Sequence, residues 1–199
     1  MTMVHVTLPD GTINEYAAGV TAGEVVVDAL GKKHGCLAAR INDVEKDLST
    51  PLTNDCNVEG IRAESDEGMY ILRHSAAHLL AQAVIELYPD AKPTIGPPID
   101  RGFYYDFAME PIGESDLKPI EKKMHEIARR NLKVERVELD DQELRDHFTA
   151  NPYKIEIIED KLEDGDGSTI YKQGEWYDLC LGPHVSSTAK LMFSRLTSV

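Results

Sequence analysis

Cysteine is scarce in this 199-residue chain, which has only Cys36, Cys56 and Cys180. Three scattered thiols make no disulfide framework, so a reducing, cytoplasmic setting is expected. Long apolar runs are missing too. No stretch approaches the roughly 20 residues that cross a bilayer, no lipidation motif is present, and "MTMVHVTLPDG" lacks the basic and apolar regions of a secretory signal. The expectation is a soluble chain with no membrane partner. Basic residues are in the minority, 21 Lys and Arg against 35 Asp and Glu. The net charge of -14 argues against a general nucleic-acid binder, because phosphates are held by cations. With 42% hydrophobic residues, the chain can bury the core of one domain or two small ones.

One segment runs against the overall charge. In "LKPIEKKMHEIARRNLKVER", residues 117 to 136, Lys118, Lys122, Lys123, Arg129, Arg130, Lys133 and Arg136 outnumber the acidic residues. Leu117, Ile120, Met124 and Ile127 give it an apolar stripe, so it reads as an amphipathic helix. Its cations form either a solvated face or a surface that meets RNA.

The chain divides near residues 62 to 68. "MVHVTLPDGTINEY" alternates apolar and polar residues around Pro9-Asp10-Gly11 and predicts a hairpin. "TAGEVVVDALGKKHG" predicts a helix capped by Thr21 and Glu24 and stopped at Gly31. "CLAARIN" and "CNVEGIRA" read as short strands. Strand, strand, helix, strand, strand makes a small sheet crossed by one helix. "ESDEGM" lacks apolar periodicity and reads as part of a linker over residues 63 to 68.

Past residue 69 a helix is expected to residue 88, burying Ile71, Leu72, Leu79, Leu80, Val84 and Leu87 and stopped by Pro89 and Pro93. "GPPIDRGFYYDF" reads as a turn into an aromatic strand, followed by the basic helix. "VERVELDDQELRDHF" predicts a strand and a short helix with acidic residues at its start. "YKIEIIED" is a strand or the tail of a helix. "EDGDGSTIYKQGEWYDLCLGPH" reads as turn, strand, turn at Gly174, and strand. Together these predict an α+β fold.

Two pairs of reactive side chains stand out. "HSAAH" puts His74 and His78 one helical turn apart, so their imidazoles share a face. Cys180 and His184 are also four apart, with Gly182 and Pro183 between them, and so flank a turn at a strand end. Three nitrogens and one sulfur suit tetrahedral zinc. By spacing alone, a zinc set and four unrelated side chains are both consistent.

The motifs then identify a family resemblance. "VTLPDGT", "GVTAGEVVVDAL" and "AARINDVEKDLSTPL" make residues 1 to 62 resemble the TGS domain, a ubiquitin-like β-grasp unit. "RHSAAHLLAQAV", "IGPPIDRGFYYDF", "NPYKIEII" and "YDLCLGPHV" make residues 69 to 199 resemble the editing domain of bacterial-type threonyl-tRNA synthetases, related to that of alanyl-tRNA synthetases. The resemblance implies a β-grasp domain followed by a larger α+β editing domain. It also implies hydrolysis of mischarged seryl-tRNA for threonine, with the serine-bearing acceptor end of tRNA as partner. Full-length relatives add an aminoacylation core and an anticodon-binding domain, so this chain is not expected to charge tRNA.

By the same resemblance, His74, His78, Lys154, Asp178, Cys180 and His184 are the catalytic candidates, and Tyr104 and Arg73 the substrate-binding ones. His74 or His78 would position water or move its proton. Lys154 would meet charge on an oxygen or hold the terminal adenosine, and Asp178 would orient a histidine or bind the substrate amine. Alanyl-type editing domains hold zinc with the His, His, Cys, His set, whereas threonyl-type ones are generally seen without it. The expectation is hydrolysis with no required cofactor, with zinc on His74, His78, Cys180 and His184 as the rival. Two residues depart from the family pattern: Arg101, where an acidic or small residue is common, and Ser186, where proline is common. Two other functions fit the same residues: a non-catalytic RNA-binding unit, and a free-standing zinc-dependent deacylase of other mischarged tRNAs.

Overall fold

The Pro9-Asp10-Gly11 turn joins β1 (Met3–Thr7) to β2 (Ile13–Ala17) as an antiparallel hairpin, in a computed structural model that describes residues 2 to 163 and 169 to 198. Asp10 Oδ1 accepts from Thr12 N at 2.9 Å, and Gly11 takes the positive φ of 84° that closes the turn. The next element, α1 (Ala22–Leu30), carries the expected capping box: Thr21 Oγ1 accepts from Glu24 N, and Glu24 Oε2 accepts from Thr21 N. Gly31, with φ 80°, ends it.

Three strands follow where two were expected: β3 (Cys36–Ile41), β4 (Val44–Asp47) and β5 (Cys56–Arg62). The unexpected β4 has one apolar residue in "VEKD" and lies at the sheet edge, so it has little hydrophobic pattern to read. Asn42 and Asp43, both at positive φ, make the two-residue turn between β3 and β4. The sheet order is β2-β1-β5-β3-β4, with β1 and β5 parallel at its centre. Val4 and Val6 of β1, Ala39 of β3 and Val58 of β5 are buried with Val25 and Val26 of α1. This is the β-grasp arrangement.

The long helix α2 (Asp66–Leu87) starts three residues earlier than expected. Ser65 Oγ accepts from Gly68 N at 3.0 Å, and Asp66 and Glu67 sit in the first turn, where the helix dipole favours negative charge. The acidic stretch read as linker is therefore partly a helix cap. From Ser75 to Val84 only Leu80 escapes full burial, so this part of α2 is surrounded rather than amphipathic. Its alanines at 76, 77, 81 and 83 leave room for that close approach.

The expected aromatic strand is instead two nested two-residue pairings. β6 (Lys92–Pro93) pairs with β9 (Phe107–Ala108), and β7 (Pro98–Ile99) with β8 (Gly102–Phe103). Prolines at 93, 97 and 98 remove the backbone donors that a longer ladder needs. The basic helix is α3 (Glu114–Arg129), with Ile120, Met124, Ile127 and Ala128 buried. β10 (Val134–Glu138), β11 (Thr169–Gln173) and β12 (Trp176–Leu179) form an antiparallel sheet in that order. Between β10 and β11 come α4 (Asp141–Phe148) and α5 (Pro152–Glu163); the segment "YKIEIIED" is thus helical. The turn expected over residues 164 to 168 lies outside the described residues. The following turn holds, with Gly174 at φ 65°.

Two compact units divide the chain, Met1–Leu72 with Gly182–Ser186, and Arg73–Leu181 with Ser187–Val199. The division falls inside α2. No helix among the described residues is long and apolar enough to cross a membrane.

Candidate active site

The strand pairing of the second unit decides which residues meet. Arg136, Tyr171 and Asp178 are cross-strand neighbours, as are Val134, Gln173 and Trp176, so these six share one face of the three-stranded sheet. The opposite face, with Val137, Ile170, Tyr177 and Leu179, packs on Leu144 and Phe148 of α4 and Ile155 and Ile158 of α5. Apolar residues thus fill one side and leave Asp178 on the other.

Asp178 is 2% exposed, and so is not solvated. Lys154, near the start of α5 and 3% exposed, places Nζ 2.6 Å from Asp178 Oδ1. The same Nζ donates to Tyr105 Oη at 2.9 Å, and that hydroxyl donates to Asp178 Oδ2. Leu179 N adds a third hydrogen bond to the carboxylate, on Oδ1 at 2.8 Å. Two charges and a phenol are therefore buried as one hydrogen-bonded network, the pairing that an ion pair kept out of water requires. Burial first, and the Asp178 charge second, push the Tyr105 phenol well above its usual range, so it stays protonated as a donor.

The histidines lie against this network. His74 and His78 project from successive turns of α2 with ring centroids 5.4 Å apart at 88°. His78 meets the indole of Trp176 edge to face at 5.8 Å. Cys180, just past the end of β12, has its Sγ 3.2 Å from His74 Nε2. Burial pulls His74 down to about 4, with Asp178 opposing, and pulls His78 down to about 3. Both imidazoles are neutral near pH 7, the form that accepts a proton or ligates a metal. The donor atoms of His74, His78 and Cys180 lie within 4.8 Å of one another. Zinc bonds of about 2.0 Å to nitrogen and 2.3 Å to sulfur put tetrahedral donors roughly 3.5 Å apart, so the 3.2 Å pair fits zinc in distance and chemistry.

Of the sequence candidates, His74, His78, Lys154, Asp178 and Cys180 are gathered in the second unit. His184 is buried on Gly182–Ser186, which belongs to the first unit, where its backbone N donates to Oδ1 of buried Asp47 at 2.9 Å. Arg73 is partly buried on α2 just before His74 and takes no part in the network. Tyr104 is 42% exposed, and it is Tyr105 that turns inward. Asp178 holds Lys154 and Tyr105. Trp176 was also missed. A signal for Tyr105 exists in the "IGPPI" motif: a Cβ on Gly96 would lie 2.2 Å from the Tyr105 ring, so glycine there marks a packed aromatic.

Known proteins match this chain in two ways. Residues 4–59 match the TGS domain family, and residues 168–199 match the threonyl and alanyl tRNA synthetase second additional domain. Among curated proteins, a threonine–tRNA ligase of Rubrobacter xylanophilus is 46% identical over 99% of this chain and 31% of its own length. One from Thermoplasma acidophilum is 44% identical over 96% of this chain and 28% of its own length, and threonine–tRNA ligase 1 of Bacillus subtilis is 43% identical over 99% and 31%. The chain therefore spans less than a third of the length of these relatives, and it matches the TGS domain family in its first part and the threonyl and alanyl tRNA synthetase second additional domain in its last.

Proposed function

We propose that this chain removes serine from mischarged tRNA for threonine by ester hydrolysis, as the proofreading part of a larger cytoplasmic ligase. Residues 1 to 62 would be the TGS module and residues 69 to 199 the editing module, working beside an aminoacylation core and an anticodon-binding domain. The observation that most supports this reading is the buried Lys154–Tyr105–Asp178 network against two neutral imidazoles. Serine lacks one methyl of threonine, a difference worth only ~1 to 3 kcal/mol in a synthetic pocket, so a second site must discard it.

In the reaction, water attacks the ester carbonyl carbon, negative charge gathers on the carbonyl oxygen, and the bond to the ribose oxygen breaks. That oxygen leaves with a proton. The neutral His74 orients the water and relays its proton to the departing ribose oxygen. Lys154 uses two of its hydrogens on Asp178 and Tyr105 and turns the third to the developing charge. Asp178 and Tyr105 are positioning residues that hold the ammonium in place. Replacing His74 by Ala should lower turnover at least ~100-fold, with tRNA affinity nearly unchanged. Equal turnover in the variant would refute the role of His74, and no turnover in the parent would favour a unit that only binds RNA.

A zinc-dependent form of the same reaction is the second reading, favoured by the closeness of the His74, His78 and Cys180 donors. These residues would help to hold the ion, and the metal would supply Lewis acidity to the reaction. Full activity after exhaustive chelation supports the metal-free form; loss restored by zinc supports the other.

A further inference from the structure

The basic helix α3 has two charged flanks that differ in kind. On one, Lys123 and Arg130 are tied to Glu126 and to Glu86 of α2, with Arg130 meeting Glu86 at 2.7 Å. Beyond the helix, Lys133 pairs with Glu135, and Arg136 with Glu138. These cations are already neutralised. On the other flank Lys118, Lys122 and Arg129 are exposed, and among the described residues none of them has an acidic partner.

Their spacing makes the second flank a line. Positions 118, 122 and 129 fall within about 40° of one another at 100° per residue, and span roughly 16 Å at ~1.5 Å per residue. The buried residues Ile120, Met124 and Ile127 lie on the opposite side of the helix, so the line points to solvent. In a chain of net charge -14, this is a row of three exposed cations without an ion-pair partner among the described residues, although Glu114, Glu121 and Glu126 stand on the same helix. Such a row has charge complementarity to a chain of regularly spaced phosphates, and flexible lysines make such contacts without reading bases.

We propose that Lys118, Lys122 and Arg129 form a contact surface for the phosphate backbone of the tRNA whose ester the neighbouring site hydrolyses. The inference rests on the proposed function for the identity of the RNA, and its test is read by binding. Overall acidity keeps the protein from RNA at large, and the local row holds the substrate.

The test compares the full chain with a variant carrying Lys118→Gln, Lys122→Gln and Arg129→Gln. A control carries Lys123→Gln, Lys133→Gln and Arg136→Gln, which removes the same charge from cations that already have carboxylate partners. Binding of uncharged tRNA for threonine is measured over a range of salt concentrations. The row variant should lose at least 10-fold in affinity at low salt, and the slope of log affinity against log salt should flatten by about 2 to 3. The control should change little. Equal effects in variant and control, no effect in the variant, or no binding by the parent would each overturn the proposal. Hydrolysis of a seryl ester on a short CCA-ended oligonucleotide separates the two claims: it should be the same in parent and row variant. If the parent does not hydrolyse that ester, the proposed activity fails while the binding comparison still stands.

Discussion

At the scale of the residue, the proposed activity rests on Lys154 and Asp178, each almost fully buried. A buried pair contributes little net stability, but removing one partner strands the other charge. Asp178→Ala should therefore cost about 3 to 5 kcal/mol of folding stability, seen as an earlier midpoint in urea denaturation. The double change Lys154→Met, Asp178→Leu should regain most of that loss while remaining inactive. A stable, active double variant would remove the network from the chemistry. Gly96 makes a second demand at this scale. A Cβ there meets Tyr105 ring carbons at 2.2 and 2.6 Å and the Tyr104 carbonyl oxygen at 2.7 Å. Gly96→Ala must shift the Tyr105 ring, at a cost of about 1 to 3 kcal/mol, and should lower hydrolysis as the hydroxyl leaves Lys154 and Asp178. Unchanged stability and turnover would show that the ring position does not matter.

At the scale of the element, what could be read from sequence depended on how much pattern each segment carried. The β1–β2 hairpin and α1 announce themselves through Pro9-Asp10-Gly11 and the Thr21–Glu24 box, both local hydrogen-bonding devices. β4 has almost no hydrophobic pattern, and only the Asn42–Asp43 turn marks it. The His74–His78 pair is legible because helical period alone puts both rings on one face. Tyr104 and Tyr105 cannot be told apart that way, because adjacent residues in an extended arm face opposite sides and the sequence does not say which side is buried. The "ESDEGM" stretch misled because its function is hydrogen bonding rather than packing. Ser65→Ala should therefore cost about 1 kcal/mol through loss of the bond to Gly68 N, measurable as a small downward shift in thermal midpoint. No shift would mean that the acidic first turn suffices to start α2.

At the scale of the whole molecule, two compact units share one chain, and α2 contributes to both. One unit is a β-grasp sheet whose polar groups are spent on turns, caps and pairing. The other places a charged network, two imidazoles and a thiol on one side of a small sheet whose other side is apolar. In the proposed function the chemistry belongs to the second unit. The measurement that tests it most directly is the rate at which the chain deacylates tRNA for threonine charged with serine, beside the same tRNA charged with threonine. The account predicts that the serine ester is lost quickly and the threonine ester is spared. Loss of both at equal rates would contradict the proposed selection by one methyl, and loss of neither would contradict hydrolysis by this chain.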